Sequence, residues 1–591
     1  MAVEEPGRVA ESAAPPPSAR LALWILVALA VLAPWPFGSA PPWAVRAVTL
    51  IALATAIAVS LAQARQGALF LPRVPLWPVA ILVALGFIQL VPLPGALHAI
   101  VAPGSAEVWH PDEPAAAALL TASARPISLY PAATSAWVGM TGGLIALALL
   151  AGPALGRRRT MMAVTWTIVA AGTVVAVYAV VARTMFGPLL FGSIAVPTVS
   201  PFGPFVNKNH FAGYVEMPAL LALGLGRGLW RQHAPASGAG TPAPSAGALV
   251  AFGASVTMVM SVLLSLSRGG ALAVVSGIGV LAFLDYATAR HRGGVGRILV
   301  PVGLAVLLGV IVALMPGEVH DRLLGITRRD DNSTVFRVAI WKDSLRAWMA
   351  SPVLGQGLGA FTDVIPRFKT TAGQFRVEHP ENEPIELAAE GGLAALLAAA
   401  AALGLLFVRT VPAIRGHRDR VQRGIVTGAL AGLAALAVHG LVDFNLRIPS
   451  NAILFLTLAA MAAAPLGNVV WARGQRWAFV AALVAIGAVY GRAADPWPLL
   501  SGARASAVKA VTAGGASATA LRLSVADRRV REYLDARPAE PEGWLLAAWI
   551  AACSGRPADA AALRQHAIGL DPSSPALLAA AKAMAEGPPG R

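Results

Sequence analysis

The most constraining feature of this chain is a series of apolar blocks, each about 15 to 22 residues long, separated by short arginine-rich stretches. A helix needs about 20 apolar residues to cross the ~30 Å hydrocarbon core of a bilayer. Only 13% of the 591 residues are charged and 57% are apolar, whereas a soluble domain carries roughly a quarter charged residues. The sequence therefore predicts an all-α, polytopic helical membrane protein.

Thirteen blocks qualify as candidate spans, which predicts about 12 to 13 transmembrane helices over residues 21–491. The last block is short, and the two blocks beside Arg268 could instead form a broken pair. Acidic residues at positions 4, 5 and 11 stand where a secretory signal peptide would be basic, so we expect residues 1–20 to be a disordered cytoplasmic segment. The candidate spans are Leu21–Pro36, Trp43–Ala62, Leu76–Leu93, Ser135–Leu155, Met161–Val181, Phe211–Leu229, Ala248–Leu266, Ala271–Ala287, Ile298–Met315, Ile385–Val408, Ile425–Leu441, Ala452–Val470 and Trp477–Tyr490.

The basic residues of the short loops predict the orientation. Loops after even-numbered spans hold most of the arginines, for example at 157–159 and 409–423, and such loops stay in the cytoplasm. The N-terminus is then cytoplasmic, and the tail at 492–591 lies outside together with three long loops, at 94–134, 182–210 and 316–384. Because the arginines have this role, the net charge of +16 does not indicate a nucleic-acid partner.

The tail has its own repeat. Pro538 and Pro541 recur as Pro572 and Pro575, in both cases 34 residues later. This is the period of a tetratricopeptide unit, which is a pair of helices. The pattern predicts a tetratricopeptide-like segment at about 537–575 that could dock a protein partner; a generic pair of alanine-rich helices is the alternative.

Polar residues that interrupt the apolar blocks gather on the predicted outer face. Such residues are costly in lipid and usually line a cavity or a site. The loop before the sixth span contains Asn207, Lys208, Asn209 and His210, which could hydrogen-bond a sugar or a phosphate. A polar cap on the helix is the alternative.

Arg268 is a second feature of this kind. It precedes Gly269 and Gly270 on the side that is poor in cations. The glycines allow close backbone approach, and a guanidinium group can bind a phosphate through two hydrogen bonds. The alternative is that Arg268 extends to the membrane interface.

The large outer loop carries further arginines. Residues 328–331 read as a solvated turn, and helical spacing predicts a helix over 335–345 with Arg337 beside its apolar face. The segment Ser351–Gly359 reads as a tight turn. We expect the apolar face of the helix to consist of Phe336, Ile340, Trp341 and Leu345.

A cluster of acids and one histidine follows at the mouth of the tenth span. It comprises His379, Glu381, Asn382, Glu383, Glu386 and Glu390. Acidic residues are stabilised at the positive end of a helix dipole, but this does not explain the histidine. Either a His or a Glu at this place could act as a general base. Farther on, His439 and Asp443 are four residues apart, which predicts a shared helix face or a satisfied structural pair.

Taken in their order along the chain, these motifs resemble those of the O-antigen ligase and polymerase family of membrane glycosyltransferases. The resemblance covers about residues 200–465. The resemblance implies a protein of the bacterial inner membrane that acts on the periplasmic face. It also implies transfer of a glycan from undecaprenyl diphosphate to an acceptor hydroxyl on a glycan, a lipid or a protein. The motifs that carry it are Phe205–Gly213, Ser267-Arg268-Gly269, Arg337 with Trp341, Ser351–Gly359, His379-Pro-Glu-Asn382 running into Glu390-Gly-Gly392, and His439 with Asp443.

The resemblance also implies roles for single residues. Arg268 and Arg337 would hold the diphosphate, with no metal or other cofactor, because preorganised guanidinium groups can stabilise the charge of the leaving group. The family often reads His-x-His-Asn where this chain has Glu381 at the second histidine, so the base is either Glu381 or His379. The further substrate-binding candidates are Asn207, Asn209, Asn382, His439 and Asp443.

We expect these side chains to meet in one outward cavity. A transporter or flippase for a polysaccharide precursor is the alternative class, and it should place polar residues near the bilayer midplane in two matching repeats. The sequence shows no such symmetry. A non-catalytic membrane scaffold is a third interpretation, and the residues do not decide between a ligase and a polymerase.

Overall fold

The computed structural model describes residues 16–120, 122–196, 200–232, 243–288, 332–371, 376–415, 417–511 and 516–585. The predicted span Ile298–Met315 and the predicted turn at 328–331 lie outside the described residues. Within them the chain is mostly helical with very little sheet, which confirms the predicted all-α class.

The helices are numbered in chain order. They are α1 (Pro17–Leu32), α2 (Pro42–Arg65), α3 (Trp77–Leu90), α4 (Gly95–Val101), α5 (Pro103–Trp109), α6 (Pro114–Ala117), α7 (Pro131–Ala151), α8 (Arg158–Phe186), α9 (Lys208–Gln232), α10 (Ala246–Leu264), α11 (Arg268–Thr288), α12 (Asn332–Ala350), α13 (Phe361–Val364), α14 (Glu383–Arg415), α15 (Arg420–His439), α16 (Pro449–Ala463), α17 (Arg473–Tyr490), α18 (Trp497–Val511), α19 (Ala516–Ala536), α20 (Pro541–Cys553), α21 (Pro557–Leu570) and α22 (Pro575–Ala585).

The described strands are short and pair in three antiparallel ribbons. β1 (Leu69–Pro72) pairs with β6 (Asn468–Trp471), and Leu69 lies opposite Trp471. The other ribbons join β2 (Leu93–Pro94) to β3 (Ala124–Arg125), and β4 (Leu189–Leu190) to β5 (Ile194–Ala195).

Each predicted span within the described residues overlaps a helix, although the first helix begins at Pro17, before the predicted start at Leu21, and the end of the predicted span Ala452–Val470 lies in β6. Eight of the described helical segments are long and apolar enough to cross a membrane. The other predicted spans correspond to α1 and α3, which are shorter, and to α9 and α17, which are less apolar. The eight segments are Pro42–Arg65, Pro131–Gly156, Arg158–Phe186, Ala246–Leu264, Arg268–Ala287, Glu383–Arg415, Arg420–His439 and Pro449–Leu466.

The chain divides into two compact units. Unit 1 comprises Met1–Leu76, Met140–Arg328 and Ala401–Ile486. Unit 2 comprises Trp77–Gly139, Arg329–Ala400 and Gly487–Arg591.

Helix α9 forms the core of unit 1, because nearly every residue from His210 to Leu229 is buried. It packs against α8, α10 and, most extensively, α15. The α9–α15 contact is made by glycines: a Cβ atom at Gly224 would lie 2.4 Å from the carbonyl oxygen of Gly424 and 2.6 Å from the Cα of Gly428. Such small-residue contacts drive helix association in membranes. The pairing of these two helices was not among the predictions from the sequence.

Unit 2 joins parts of two predicted outer loops to the tail. In its core, α21 packs against α6, and Arg125 of β3 lies 2.8 Å from Asp535 of α19. Segments packed in this way lie on the same side of a membrane, as the topology prediction requires. Which side that is stays a prediction.

The tail consists of α18 to α22. Two of these helices begin at prolines 34 residues apart, Pro541 and Pro575, and α20 packs against α21. This helical pairing matches the expected period. The tetratricopeptide assignment itself stays a prediction.

Arg537 connects the tail to residue 363 of the predicted outer loop. Its Nε and Nη2 atoms donate to the two carboxylate oxygens of Asp363 at 2.6 and 3.0 Å, and Nη2 lies 3.1 Å from Glu540. Burial alone would lower the pKa of Arg537, but the Asp363 carboxylate raises the pKa above its ordinary value. The contact therefore stabilises the charged guanidinium.

We expect Arg537→Ala to destabilise unit 2 by about 3–5 kcal/mol, because the fully buried Asp363 carboxylate loses its bidentate partner. Thermal unfolding in detergent and limited proteolysis of the tail measure this effect. Arg528→Ala, at an exposed arginine of α19, is the matched control. Equal melting temperatures for the two variants would contradict the expectation.

Candidate active site

In unit 2, the turn before α14 presents the predicted catalytic residues. Asn382 caps the helix: its Oδ1 accepts a hydrogen bond from the Ile385 amide at 3.0 Å. Glu381 has a φ of +52°, a left-handed conformation that is uncommon for residues other than glycine. Trp341 of α12 fixes this turn by donating from Nε1 to the Pro380 carbonyl at 2.7 Å.

His379 is oriented by a buried carboxylate. Its Nδ1 lies 2.9 Å from Oε1 of Glu386, whose side chain is 1% exposed, whereas the His379 side chain is 28% exposed. With Glu386 ionised, Nδ1 carries the proton and donates it to this hydrogen bond, so the lone pair of the neutral ring lies on Nε2. This geometry is that of a general base held by a carboxylate.

Arg337 and Glu381 form an ion pair, and both side chains are more than a third exposed, at 39% and 35%. The structure thus brings together two residues that were predicted as a diphosphate ligand and a candidate base. The Glu381 carboxylate is thus already engaged by a guanidinium group.

The predicted turn Ser351–Gly359 packs against the first turns of α14. The Gly357 amide donates to the Glu390 carbonyl at 2.9 Å. Gly355 has a φ of +67°, and a Cβ atom there would lie 2.2 Å from the same carbonyl oxygen. Glycine at 355 is therefore required both by conformation and by space, and the turn supports the helix that carries Glu386.

The predicted apolar face of α12 is wrong in part. Ile340 is buried, but Phe336 and Leu345 are 44% and 39% exposed. Asp343 and Ser344 are buried in their place, together with Ala347. The reason is that the Thr370 amide and hydroxyl donate to the Asp343 carboxylate, so these polar side chains are satisfied inside the protein.

Unit 1 contains a second polar cluster, centred on Glu216 and His439. Oε2 of Glu216 lies 2.9 Å from Nδ1 of His439, and neither side chain is exposed. Ionisable pairs are rare inside membrane helices. Glu216 was not among the predicted site residues, although a single acid within an apolar block is the signal that could have identified it.

The expected shared helix face of His439 and Asp443 is wrong, because α15 ends at His439. Asp443 lies beyond the helix, and its Oδ1 is 3.4 Å from Nε2 of His210. Asn451 completes this neighbourhood by donating to the His210 carbonyl at 3.0 Å and to Oδ1 of Asn445 at 2.9 Å. The two residues thus pair with different partners.

Arg268 begins α11 beside this cluster. The Ser267 hydroxyl caps the helix by accepting from the Gly270 amide at 3.1 Å. A Cβ atom at Gly269 would lie 2.7 Å from the His439 ring, so the glycine lets α11 begin against the imidazole. The half-buried Arg268 side chain is therefore anchored at a fixed helix start.

Asn207 also has a capping position. Its Oδ1 accepts from the Asn209 amide at 2.9 Å, at the start of α9. This contact favours the polar-cap interpretation of Asn207, and it leaves the Asn209 side chain as a substrate-binding candidate.

We expect Glu216→Ala and His439→Ala each to destabilise the protein by about 3–5 kcal/mol, because each leaves a buried partner unpaired. The double variant should lose much less than the sum of the two. Thermal unfolding of all four proteins in the same detergent measures this coupling. Additive losses would show that the pair makes no specific contribution.

Comparison with known protein families identifies a segment that belongs in part to each unit. The family model for O-antigen ligase matches residues 253–400, a segment that includes Arg268, Arg337, His379 and Glu381. The match confirms the predicted resemblance to the O-antigen ligase-like family. No curated protein matches the chain. Among the residues that the structure describes, no group of three or more His, Cys, Asp or Glu side chains is arranged to hold a metal ion.

Proposed function

From the O-antigen ligase match in a multi-pass bacterial membrane chain, we propose a periplasm-facing glycosyltransferase. It transfers a glycan from undecaprenyl diphosphate to an acceptor hydroxyl. The observation that carries this proposal is the oriented His379–Glu386 pair, two residues along the chain from the Arg337–Glu381 ion pair.

The reaction needs a base, and His379 fits this role better than Glu381. Nε2 of His379 takes the proton of the acceptor hydroxyl as the oxygen attacks the anomeric carbon. The bond from that carbon to the diphosphate oxygen breaks, and polyprenyl diphosphate leaves with the electron pair. The imidazolium formed is stabilised by the Glu386 carboxylate at Nδ1.

The leaving diphosphate gains negative charge, which requires cations. Arg337 supplies a guanidinium group that can make two hydrogen bonds to phosphate oxygens, and the family resemblance implies the same role for Arg268. In the described structure Glu381 pairs with Arg337. Glu381 is therefore a counter-ion that yields this guanidinium to the diphosphate when the donor binds, which explains a carboxylate at this position.

The orientation is supported by the arginine-rich short loops. Parts of two long loops pack with the tail in unit 2, and we assign these loop segments and the tail to the periplasmic side. Transfer without a metal ion is part of the proposal, since guanidinium groups can meet the diphosphate charge. The proposal covers ligase and polymerase reactions alike.

Arg268→Ala and Arg337→Ala test the proposal. Each should lower glycan transfer by about 10²–10³-fold, as loss of a transition-state hydrogen-bond donor does, and lipid-linked glycan should accumulate in the cells. Arg337→Lys should recover only part of the rate, because it retains the charge and lacks the planar fork. Lys342→Ala, at an exposed cation of α12, is the control.

Normal transfer in both alanine variants, with normal membrane insertion, would reject the enzymatic assignment. If the lipid-linked glycan that accumulates in cells with these variants were confined to the cytoplasmic leaflet, the result would support a flippase instead.

A further inference from the structure

Unit 2 contains a cavity of about 530 Å³ that the proposed reaction does not use. Its walls come from loop residues between 362 and 369 and at 376–377, and from tail helices α20 and α22. Pockets that bind small ligands have volumes of about 300–1,000 Å³. The cavity is therefore large enough for a ligand of more than one ring.

One wall of the cavity is aromatic and aliphatic. Trp549 is half-buried there, next to Leu545 and Leu546 of the same helix. A flat indole surface packs against the apolar face of a ring and has an N–H group that can donate. This wall can bind the C–H face of a sugar ring.

The remaining lining contains opposite charges in pairs. Arg376 lies 2.9 Å from Glu540, Lys369 lies 3.6 Å from Asp571, and Arg504 lies 3.4 Å from Glu542. Each pair keeps donors and acceptors that can bind hydroxyl groups, since a guanidinium has five N–H donors and a carboxylate has two acceptor oxygens.

The three pairs carry no net charge, which argues against a strongly anionic ligand such as a diphosphate. The many polar groups argue against an acyl chain. Hydroxyl-rich, weakly charged ligands with an apolar ring face remain, and these are oligosaccharides.

The cavity is close to the proposed base along the chain. Val377 lines the cavity, and His379 is two residues farther on, so their Cα atoms are at most ~7 Å apart. The acceptor hydroxyl has to reach His379, whereas the donor diphosphate has to reach the arginines. A sugar chain in the cavity can thus place its end near the imidazole.

The geometry points to this cavity as the binding site for the acceptor glycan, with Trp549 as the stacking platform and the tail as part of the acceptor site. The inference rests on the proposed function, because it takes the acceptor to be a sugar chain. It gives the tail a role in substrate recognition in addition to its packing role.

The first experiment measures transfer by the full-length protein in nanodiscs at varied acceptor concentration. Trp549→Ala should raise the KM for the acceptor at least tenfold, with the KM for the lipid-linked donor and kcat changed by less than about threefold. Trp549→Phe should recover most of the acceptor affinity, because it keeps a ring. Trp497→Ala, at an exposed tryptophan of α18 outside this cavity, is the matched control.

The second experiment measures binding without turnover, in the His379→Ala background. Saturation-transfer NMR uses oligosaccharides released by mild acid from the surface polysaccharide of the host bacterium. We expect a binding signal that Trp549→Ala abolishes and Trp497→Ala leaves intact. Melting temperatures of the variants verify that each protein is folded, and Arg504→Ala, at a more exposed position of the rim, should weaken binding if Trp549→Ala fails to fold.

Equal binding by folded Trp549→Ala and Arg504→Ala proteins would overturn the acceptor site, even if His379→Ala stops transfer. A protein that copurifies in the cavity and excludes the oligosaccharide would overturn it as well. Failure of the proposed function gives a different result, namely no glycan transfer by the wild-type protein in nanodiscs, and the binding signal can still be measured in that case.

Discussion

Replacing His379 with alanine is expected to slow glycan transfer by about 10²–10⁴-fold, which is the usual contribution of a general base. The physical reason is the Glu386 contact at Nδ1, which leaves Nε2 to accept the acceptor proton. Binding of the donor should change little, because the guanidinium groups remain. The measurement is the rate of transfer from lipid-linked glycan under saturating donor, with the yield of inserted protein determined in parallel.

Glu381→Gln provides the contrast. It keeps the shape of the side chain but removes the charge that pairs with Arg337, so we expect less than about tenfold change in kcat and a lower KM for the donor. Glu378→Ala, at an exposed residue next to His379, is the matched control. A larger loss of kcat in Glu381→Gln than in His379→Ala would make Glu381 the base.

Glu386→Gln examines the orienting carboxylate through the pH profile. Loss of the negative charge at Nδ1 makes protonation of the imidazole less favourable. The acidic limb of the kcat profile should therefore move to lower pH. A merely structural role for Glu386 would lower the amount of folded protein without moving this limb.

Gly224→Leu is expected to cause the largest loss of folded protein, because no space exists for a side chain between α9 and α15. The nearest atoms to a Cβ at this position belong to the backbone of Gly424 and Gly428, and backbone atoms cannot rotate away as a flexible side chain can. Overpacking costs about 1–3 kcal/mol in ordinary cores, and we expect at least the upper end here. Size-exclusion profiles of a fluorescent fusion measure the folded fraction.

Gly253→Leu is the matched control for this substitution. Gly253 lies in the apolar helix α10, and no atom lies within 4 Å of a Cβ built there. The same residue change should therefore leave the folded fraction close to that of the wild type. Equal losses in both variants would assign the effect to leucine in a membrane helix rather than to the α9–α15 contact.

Much of the helical layout was predictable because it depends on local properties. The length of an apolar block fixes a membrane-spanning helix, so spans such as Arg158–Phe186 and Arg420–His439 agree with their predicted blocks to within a few residues. The start of α14 was equally predictable from the sequence, because Asn382 and the acidic residues that follow it are typical of a helix N-terminus.

The partners of the site residues were not predictable from one sequence, because they depend on packing between distant segments. Glu216 and His439 are separated by 223 residues, and nothing near either position indicates the other. The inward orientation of Asp343 likewise depends on the hydrogen bond from the Thr370 amide. A prediction from the spacing of apolar residues alone therefore buries Phe336 and Leu345, which the structure leaves exposed. The residue types of the candidate site were visible in advance, and their contacts were not.

The contact between Arg537 and Asp363 has a consequence for biogenesis. A ribosome makes residue 363 long before residue 537, so the nascent loop waits without the bidentate partner of Asp363 while the intervening helices are inserted. Only when the final stretch emerges can the guanidinium arrive and complete the packing of unit 2. A prematurely terminated product would thus reach the bilayer yet lack this buried contact.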